Sequence, residues 1–550
     1  MIREIRAHEE IGKTMVSRPV ALVLVCMFLT MCGGVTLIQS LFDIRRPEAG
    51  PSVAPSISEH TFSSDSSFGD VLRLNSRLTS LIEDVEASLE ARSWLGRVVR
   101  PAIQWILFKF SGVGNESVYA GRDGWLFYRP EIEYLTGRGF LDPQQLRTRS
   151  LVGGGENARL QPDSVLGILD FHRQLAARGI DLVVLPVPVK ASIHPDHFYA
   201  NIQAVKPLNN PSFKAWISRL QAEGVMVVDP SEPLFSAARN IHDHGYLATD
   251  THWRPASMEF TADLLAEIVT GRFEIGRSAV SYRRIQETVE QSGDTAIMLD
   301  LPDDKKPKQE RVEIHPVLNH RGEWWQSDPH SPVLLLGDSF CNIYSLPSMG
   351  WGGHAGLAEQ LSFRLGMPVD RIVRNDQGAH ATRQLLRREL ARGRDRLSGK
   401  KLVIWQFSAR ELAVGDWAEI DLTLRPAAQA SFLRLEPGQS LEVTGEVLHV
   451  SAVPRPGSVP YRDHILSVHL VDIEDGLPHN NERNEALVYL WSMRENILQP
   501  AANLRNGQSV RMRLSAWSDV SGSLDAINRS EPQDESILWQ EPCWGEIMED

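Results

Sequence analysis

Between residues 180 and 407, short apolar runs alternate with segments of helical periodicity, and this alternation restricts the fold more than any other feature of the chain. Residues 180–187 (IDLVVLPV), 225–228, 333–336, 371–373 and 402–407 are brief, apolar and mostly β-branched or leucine-rich, as buried strands are. Residues 163–178, 212–223, 256–269, 357–365 and 381–392 repeat apolar side chains at helical spacing. Strands separated by helices pair in parallel, with helices covering both faces of the sheet. Sites in such sheets form beyond the carboxyl ends of strands, where Ser339 and Arg410 fall.

At 550 residues the chain is too long for one core. After about Trp417 the texture becomes short alternating runs separated by turns such as Pro437-Gly438 and Asn506-Gly507, which predicts an all-β region, a small barrel or a sandwich. Residues 47–67 read as a linker. Residues 68–110 carry helical periodicity, for a stalk, a docking surface or a helix packed on its own domain. Residues 118–128 (VYAGRDGWLFY) predict a hairpin. The polar stretch 277–332 reads as a solvated insertion.

The net charge of −13 leaves no excess of Lys and Arg to displace phosphate counterions, so nucleic acid is not an expected partner. The four cysteines form no CxxC pair and no Cys/His cluster of zinc spacing, and neither a metal nor another cofactor is expected. From Pro19 to Phe42 no residue is charged, a stretch long enough to cross about 30 Å of hydrocarbon as a helix. Arg3, Arg6, Lys13 and Arg18 precede it, and only Arg45 and Arg46 follow closely, which orients the N-terminus to the cytoplasm. A cleaved signal peptide and lipoprotein processing at Cys32 are the rival readings. All three place the remainder outside the cytoplasmic membrane.

Two strings bear the chemistry. Asp250-Thr251-His252-Trp253 sets a carboxylate two residues before an imidazole, close enough to orient it. Gly337-Asp338-Ser339-Phe340 follows a buried strand, and Gly337 permits a tight turn that would expose Ser339 at the strand tip. A serine becomes a nucleophile when an oriented base removes its proton. Each string also has a plain structural reading: loop residues for the first, a helix N-cap for the second.

The chain resembles the SGNH-hydrolase-like O-acetyltransferases of the AlgJ/AlgX type, which acetylate alginate and related exopolysaccharides. The resemblance covers residues 115–418. It rests on Gly121 to Tyr128, Pro186 to Lys190, Asp250 to Trp253, Leu336 to Phe340, and Val403 to Phe407 with Arg410. His252 precedes Ser339 by 87 positions, the reverse of ordinary SGNH esterases and similar to the circularly permuted arrangement of this family. The resemblance implies an α/β, flavodoxin-like parallel sheet with Ser339 as nucleophile, His252 as general base and Asp250 as its orienting carboxylate. It further implies Gly378 as an oxyanion donor beside the Ser339 N–H, with Asn375 a turn residue. The third SGNH block lacks its usual asparagine, so Arg410 is the candidate for that role or for holding an anionic sugar, against a structural ion pair. Trp253, Tyr344 and Trp351 are candidates for stacking on sugar rings or for core. Lys190 reads as structural.

The expected organisation is a cytoplasmic segment (1–18), a transmembrane anchor (19–42), a linker with an amphipathic helix (43–114), the SGNH-like domain (115–418) and a β-rich domain (419–550). Trp491 and Trp517 in the last suggest carbohydrate binding or a structural role. The implied partners are an exopolysaccharide acceptor and a membrane acyltransferase of the MBOAT type as acetyl donor. The implied location is the bacterial inner membrane, with the catalytic domain in the periplasm. An acetylesterase and a non-catalytic glycan-binding scaffold are the competing readings.

Overall fold

The computed structural model describes residues 17–29 and 94–548, apart from 153–159, 203, 242, 276–279, 376, 425–431, 455, 457–458, 460, 475–484, 533–536 and 538–539. The chain divides into two compact units, 1–103 and 104–550. In the first, helix α1 (Arg18–Leu29) carries exposed apolar side chains such as Leu22, Val23 and Phe28. The rest of the predicted anchor, the linker and the periodic stretch before residue 94 lie outside the described residues. No helix among the described residues is long and apolar enough to cross a membrane. Helix α2 (Trp94–Ser111) follows.

The hairpin forms from β1 (Val118–Ala120) and β2 (Leu126–Tyr128), and its loop holds Asp123 and Gly124 at positive φ. The central sheet contains β3 (Asp181–Val187), β4 (Met226–Val227), β5 (Val333–Gly337), β6 (Asp370–Val373) and β7 (Leu402–Ser408). Their order is β6-β5-β7-β3-β4, and every pairing is parallel. Strands β5 and β7 are buried throughout, and β3 is buried after its first residue, which is why they read as unbroken apolar runs. Alternate side chains feed two cores: Val183, Leu185, Leu335 and Ile404 on one face, and Leu182, Val184, Leu336 and Trp405 on the other.

Helix α3 (Pro255–Arg272) starts just after the Asp-x-His string, with proline in its first turn, where no N–H is needed. The stretch predicted to be a solvated insertion is instead built into the body. It contributes the antiparallel pair Glu287–Gln291 and Glu310–Ile314, and helix α4 (Asp294–Met298), four of whose five residues are buried. Its acidic residues satisfy buried backbone donors of the 248–252 loop, a role that polar composition cannot distinguish from solvation. Helices Ser164–Ala176 and Phe213–Ala222 form as predicted, and three more lie near the two strings: α5 (Ser339–Asn342) at the tip of β5, α6 (Leu357–Leu365), and α7 (Gly378–Ala391) after β6.

Beyond residue 432 lie β8 (Ser440–Val450), β9 (His464–Glu474), β10 (Ala486–Arg494), β11 (Ile497–Leu498), β12 (Ser509–Ala516), β13 (Asn528–Arg529) and β14 (Pro542–Ile547). They join in the order β11-β10-β14-β12-β8-β9-β13, and an additional β9–β10 pairing closes five of them into a ring. Val447, Val468, Val488 and Met512 fill its interior. Outside it, Tyr489, Trp517 and Trp544 form a second cluster, against which Leu346 of the α/β part packs. Trp517 is buried edge-on to Tyr489, and Trp491 meets Trp544 edge-on, so both belong to aromatic packing and not to an open sugar platform. The barrel and the parallel sheet lie within one compact unit. The contact includes Arg374 bonded to the Ile527 carbonyl, and the Asn375 N–H donating to Asn528 Oδ1 at 3.1 Å.

Candidate active site

One carboxylate organises the histidine. Asp250 Oδ1 accepts from the His252 backbone N–H at 3.1 Å and from its ring Nδ1 at 2.6 Å. Asp250 Oδ2 accepts from the Asp294 N–H and the Trp351 indole N–H, both at 2.9 Å. With its proton on Nδ1, the ring presents Nε2 as a base. Nε2 is buried and has no hydrogen-bond partner among the described residues.

The backbone around this pair is pinned from several sides. The Lys190 ammonium, itself buried, donates to the carbonyls of Leu126, Ala248 and Asp250 at 2.6, 2.7 and 3.0 Å. Burial pushes its pKa down to about 8, against the pull of Glu310 and Glu131. Glu310 accepts from the N–H groups of Ala248 and Thr249. Lys190 thus pins three backbone carbonyls, which is the structural role expected of it although it lies in a family-like motif.

Asp294 was not legible as a site residue. Its carboxylate accepts from the Thr251 N–H at 2.8 Å and the Thr251 hydroxyl at 2.5 Å, and Oδ2 stands 3.7 Å from His252 Nδ1. Gly293 brings it there, because a Cβ at that position would fall 2.0 Å from the Thr249 carbonyl oxygen. Burial and the neighbouring Asp250 charge push the Asp294 carboxyl up to about 7. Asp250 is held down to about 2, since burial is outweighed by His252, the Asp294 N–H and the Trp351 indole. Burial alone would lower the His252 pKa, but the Asp250 carboxylate raises it above its ordinary value. Asp250, His252 and Asp294 could together offer ligand atoms to a metal ion. All three already serve one another and neighbouring N–H groups, so the donor set fits a hydrogen-bonded relay better than a cation cradle.

Ser339 opens α5 directly after β5, and Asp338 is the N-cap. Asp338 Oδ1 accepts from the Phe340 N–H and from Gln406, and Oδ2 from the Ser408 N–H, so this aspartate is consumed in holding the strand ends together. Ser339 is 1% exposed, enclosed and not standing out at the strand tip. The two strings meet through Phe340, whose ring lies 4.8 Å from the His252 ring and whose carbonyl accepts from the Trp253 indole. Gly378 begins α7 against Asp338, where a Cβ would come within 2.4 Å of the Asp338 Cβ. Its N–H end is therefore beside the serine turn. Asn375 bonds Asn342 of α5 at 2.7 Å.

The remaining candidates occupy other roles. Trp253, Tyr344 and Trp351 are all fully buried, and the Tyr344 hydroxyl donates to the Trp253 carbonyl at 2.6 Å. They offer no face to a sugar ring. They orient the Asp250–His252 loop instead. Arg410, half-buried, forms an ion pair with the buried Glu131 at 3.1 Å and touches Ser408, the structural alternative anticipated for it. A narrow cleft of about 10 Å³ borders Asp250, His252 and Asp294 on one side and Tyr461, Arg462 and Asn496 from the barrel region on the other. The sequence held no sign of this contribution, since nothing local couples residue 461 to residue 252.

The parallel sheet and these side chains define an α/β protein of the SGNH hydrolase-like class. The model of the SGNH hydrolase-like domain of the acetyltransferase AlgX matches residues 118–409, more than half of the chain, and the chain belongs to that family. It is 27% identical over 284 residues to the probable alginate O-acetylase AlgJ of Pseudomonas fluorescens, covering 49% of this chain and 64% of that protein, just under two thirds of its length. The AlgJ of Pseudomonas aeruginosa is 25% identical over 347 residues, covering 60% of this chain and 78% of that protein. The solved O-acetyltransferase domain of Pseudomonas putida AlgJ aligns at 20% identity over 55% of this chain and 93% of that one, with a TM-score of 0.41.

Proposed function

We propose that this chain is an O-acetyltransferase that carries an acetyl group on Ser339 and delivers it to hydroxyls of an alginate-like polysaccharide. The observation that carries the reading is the His252 ring, fixed by Asp250 at 2.6 Å with Nε2 buried and unpaired, in contact with the residue after Ser339. Ser339 Oγ attacks the acetyl carbonyl while His252 Nε2 takes its proton, and that proton leaves with the donor's leaving group. A sugar hydroxyl then attacks the acetyl-serine, gives its proton to His252, and Ser339 regains it. The N–H groups of Ser339 and Gly378 are the donors for the oxyanion. Ser339 and His252 share no hydrogen bond among the described residues, and such contacts commonly tighten only around substrate.

The acceptor's class is supported by a cleft of about 650 Å³ between α7 and the barrel. Arg374, Arg388 and Arg529 share the Glu531 carboxylate in its wall, and Arg529 also pairs with Asp525; the three side chains are almost wholly enclosed, so they support a polyuronate acceptor through a net excess of one positive charge beneath the cleft. Tyr461 lines both this cleft and the one at His252. In this reading the β-rich region holds the polymer, the apolar N-terminal run anchors the chain in a bacterial inner membrane with the site in the periplasm, and an MBOAT-type membrane protein supplies the acetyl group.

The test is incubation of the full chain with an activated acetyl ester, followed by mannuronate oligosaccharides, with their mass read before and after. Acetylated oligosaccharide is the expected product. Ester turnover that leaves the sugars unmodified would make the protein an esterase, and no turnover by folded protein would favour a scaffold.

A further inference from the structure

Helix α2 carries an apolar stripe that is exposed among the described residues. Val99, Ile103, Ile106, Leu107 and Phe110 stand at i, i+4, i+7, i+8 and i+11, which is one face of a helix. All five are exposed, Phe110 by 74% and Ile103 by 51%. The other side of the same helix is engaged, with Trp105 and Phe108 packing against Val118, Leu126, Met298 and Leu299. The apolar residues of α2 thus serve two surfaces, and among the described residues only one is satisfied.

The charge of α2 indicates its partner. The helix contains Arg97, Arg100 and Lys109 and no Asp or Glu, in a chain whose net charge is −13. By helical position Arg100 and Lys109 border the stripe on opposite sides, and the Lys109 ammonium rests 5.1 Å and 6.0 Å from the Trp105 and Phe110 ring centroids, at the edge of the apolar surface. Two tryptophans and two phenylalanines complete an 18-residue segment that is too polar to span a bilayer. An exposed apolar stripe, a cationic border and aromatic rings are the features of a helix that lies in the plane of a lipid surface.

We propose that α2 docks flat on an anionic lipid bilayer, with Ile103, Ile106, Leu107 and Phe110 below the headgroups and Arg100 and Lys109 at their level. The core beneath α2 also contains Ala296 and Met298 of α4, the helix that begins with Asp294. Docking would therefore hold the His252 site at a set height above the lipid. This is a second membrane contact, separate from the apolar run at residues 19–42, and it does not depend on the acetyltransferase reading.

The experiment uses the full chain in vesicles of phosphatidylethanolamine and phosphatidylglycerol, with the photoreactive residue benzoylphenylalanine at Ile106, at Phe110 or, as a control, at the exposed Val205. The expected result is lipid adducts at Ile106 and Phe110 about tenfold above those at Val205. The double change Ile106→Glu and Phe110→Glu should lower lipid adducts from a probe at Ile103 by a similar factor, with the thermal unfolding midpoint unaltered. Replacing phosphatidylglycerol by phosphatidylcholine should lower the yield several-fold. Adducts at Ile106 and Phe110 confined to protein, whether another segment of the chain or a second copy, would overturn the proposal. So would a lipid yield that the two glutamates leave unchanged, or one indifferent to lipid charge.

Discussion

Replacing Asp294 by asparagine keeps the side chain's size and its acceptor oxygen but removes a carboxylate 3.7 Å from His252 Nδ1. Two unit charges at that distance interact by about 4.5 kcal/mol at an effective dielectric constant of about 20, equivalent to about 3 pKa units. The Asp294 carboxyl is pushed up to about 7, so near neutral pH it bears only part of a charge. The expected change is therefore about 1 to 2 units. Its sign follows from the charge: an anion beside the ring stabilises the imidazolium, and its loss lowers the His252 pKa. Catalysis requires neutral His252, so the activity of the parent protein rises with pH through a value above the ordinary histidine range. In Asp294→Asn the same rise should move to lower pH. Initial rates of aryl acetate hydrolysis across pH, as kcat/KM, give the limb directly, and a thermal melt verifies folding. A folded variant whose limb stays in place or moves to higher pH would refute the reasoning.

Trp351→Phe removes the indole N–H from Asp250 Oδ2, and should lower kcat about tenfold with little change in KM for oligosaccharide; a raised KM with kcat intact would restore the sugar-stacking role. Lys190→Met leaves the Leu126, Ala248 and Asp250 carbonyls without their ammonium donor. It should cost about 3 kcal/mol or more in denaturant unfolding, and unaltered stability would contradict the structural role. Glu131→Gln takes the buried carboxylate from the half-buried Arg410 guanidinium, with an expected loss of about 3 kcal/mol; an unchanged unfolding midpoint would show that the ion pair is not what stabilises that site.

The sheet was legible because its strands are buried on both faces. Residues 333–337 and 402–408 have no solvent side to interrupt their apolar runs, and the observed strands end within about a residue of the predicted ones. The Asp250–His252 bond was legible for a local reason, since a carboxylate at i reaches the N–H and ring at i+2. What sequence could not show is long-range. Asp294 lies 44 residues from Asp250 in a stretch whose polarity reads as solvation, yet its polar groups are buried against the 248–252 loop. The faint signal was Gly293, a residue that permits close backbone approach. Trp253, Tyr344 and Trp351 stood open between sugar stacking and core, because aromatic rings near the Asp-x-His and Gly-Asp-Ser strings look the same in sequence whether they face a sugar or, as here, the core. Arg410 was ambiguous for want of its partner, Glu131, which lies 279 residues earlier in the chain.

The central claim is that Ser339 carries the acetyl group. Full-length protein would be treated with an activated acetyl ester, quenched in acid, digested and mapped by tandem mass spectrometry, beside Ser339→Ala and His252→Ala. The account predicts one acetyl group on Ser339, absent from Ser339→Ala and formed at least about a thousandfold more slowly in His252→Ala. An acetyl group on another residue, or equal labelling of Ser339→Ala, would contradict it.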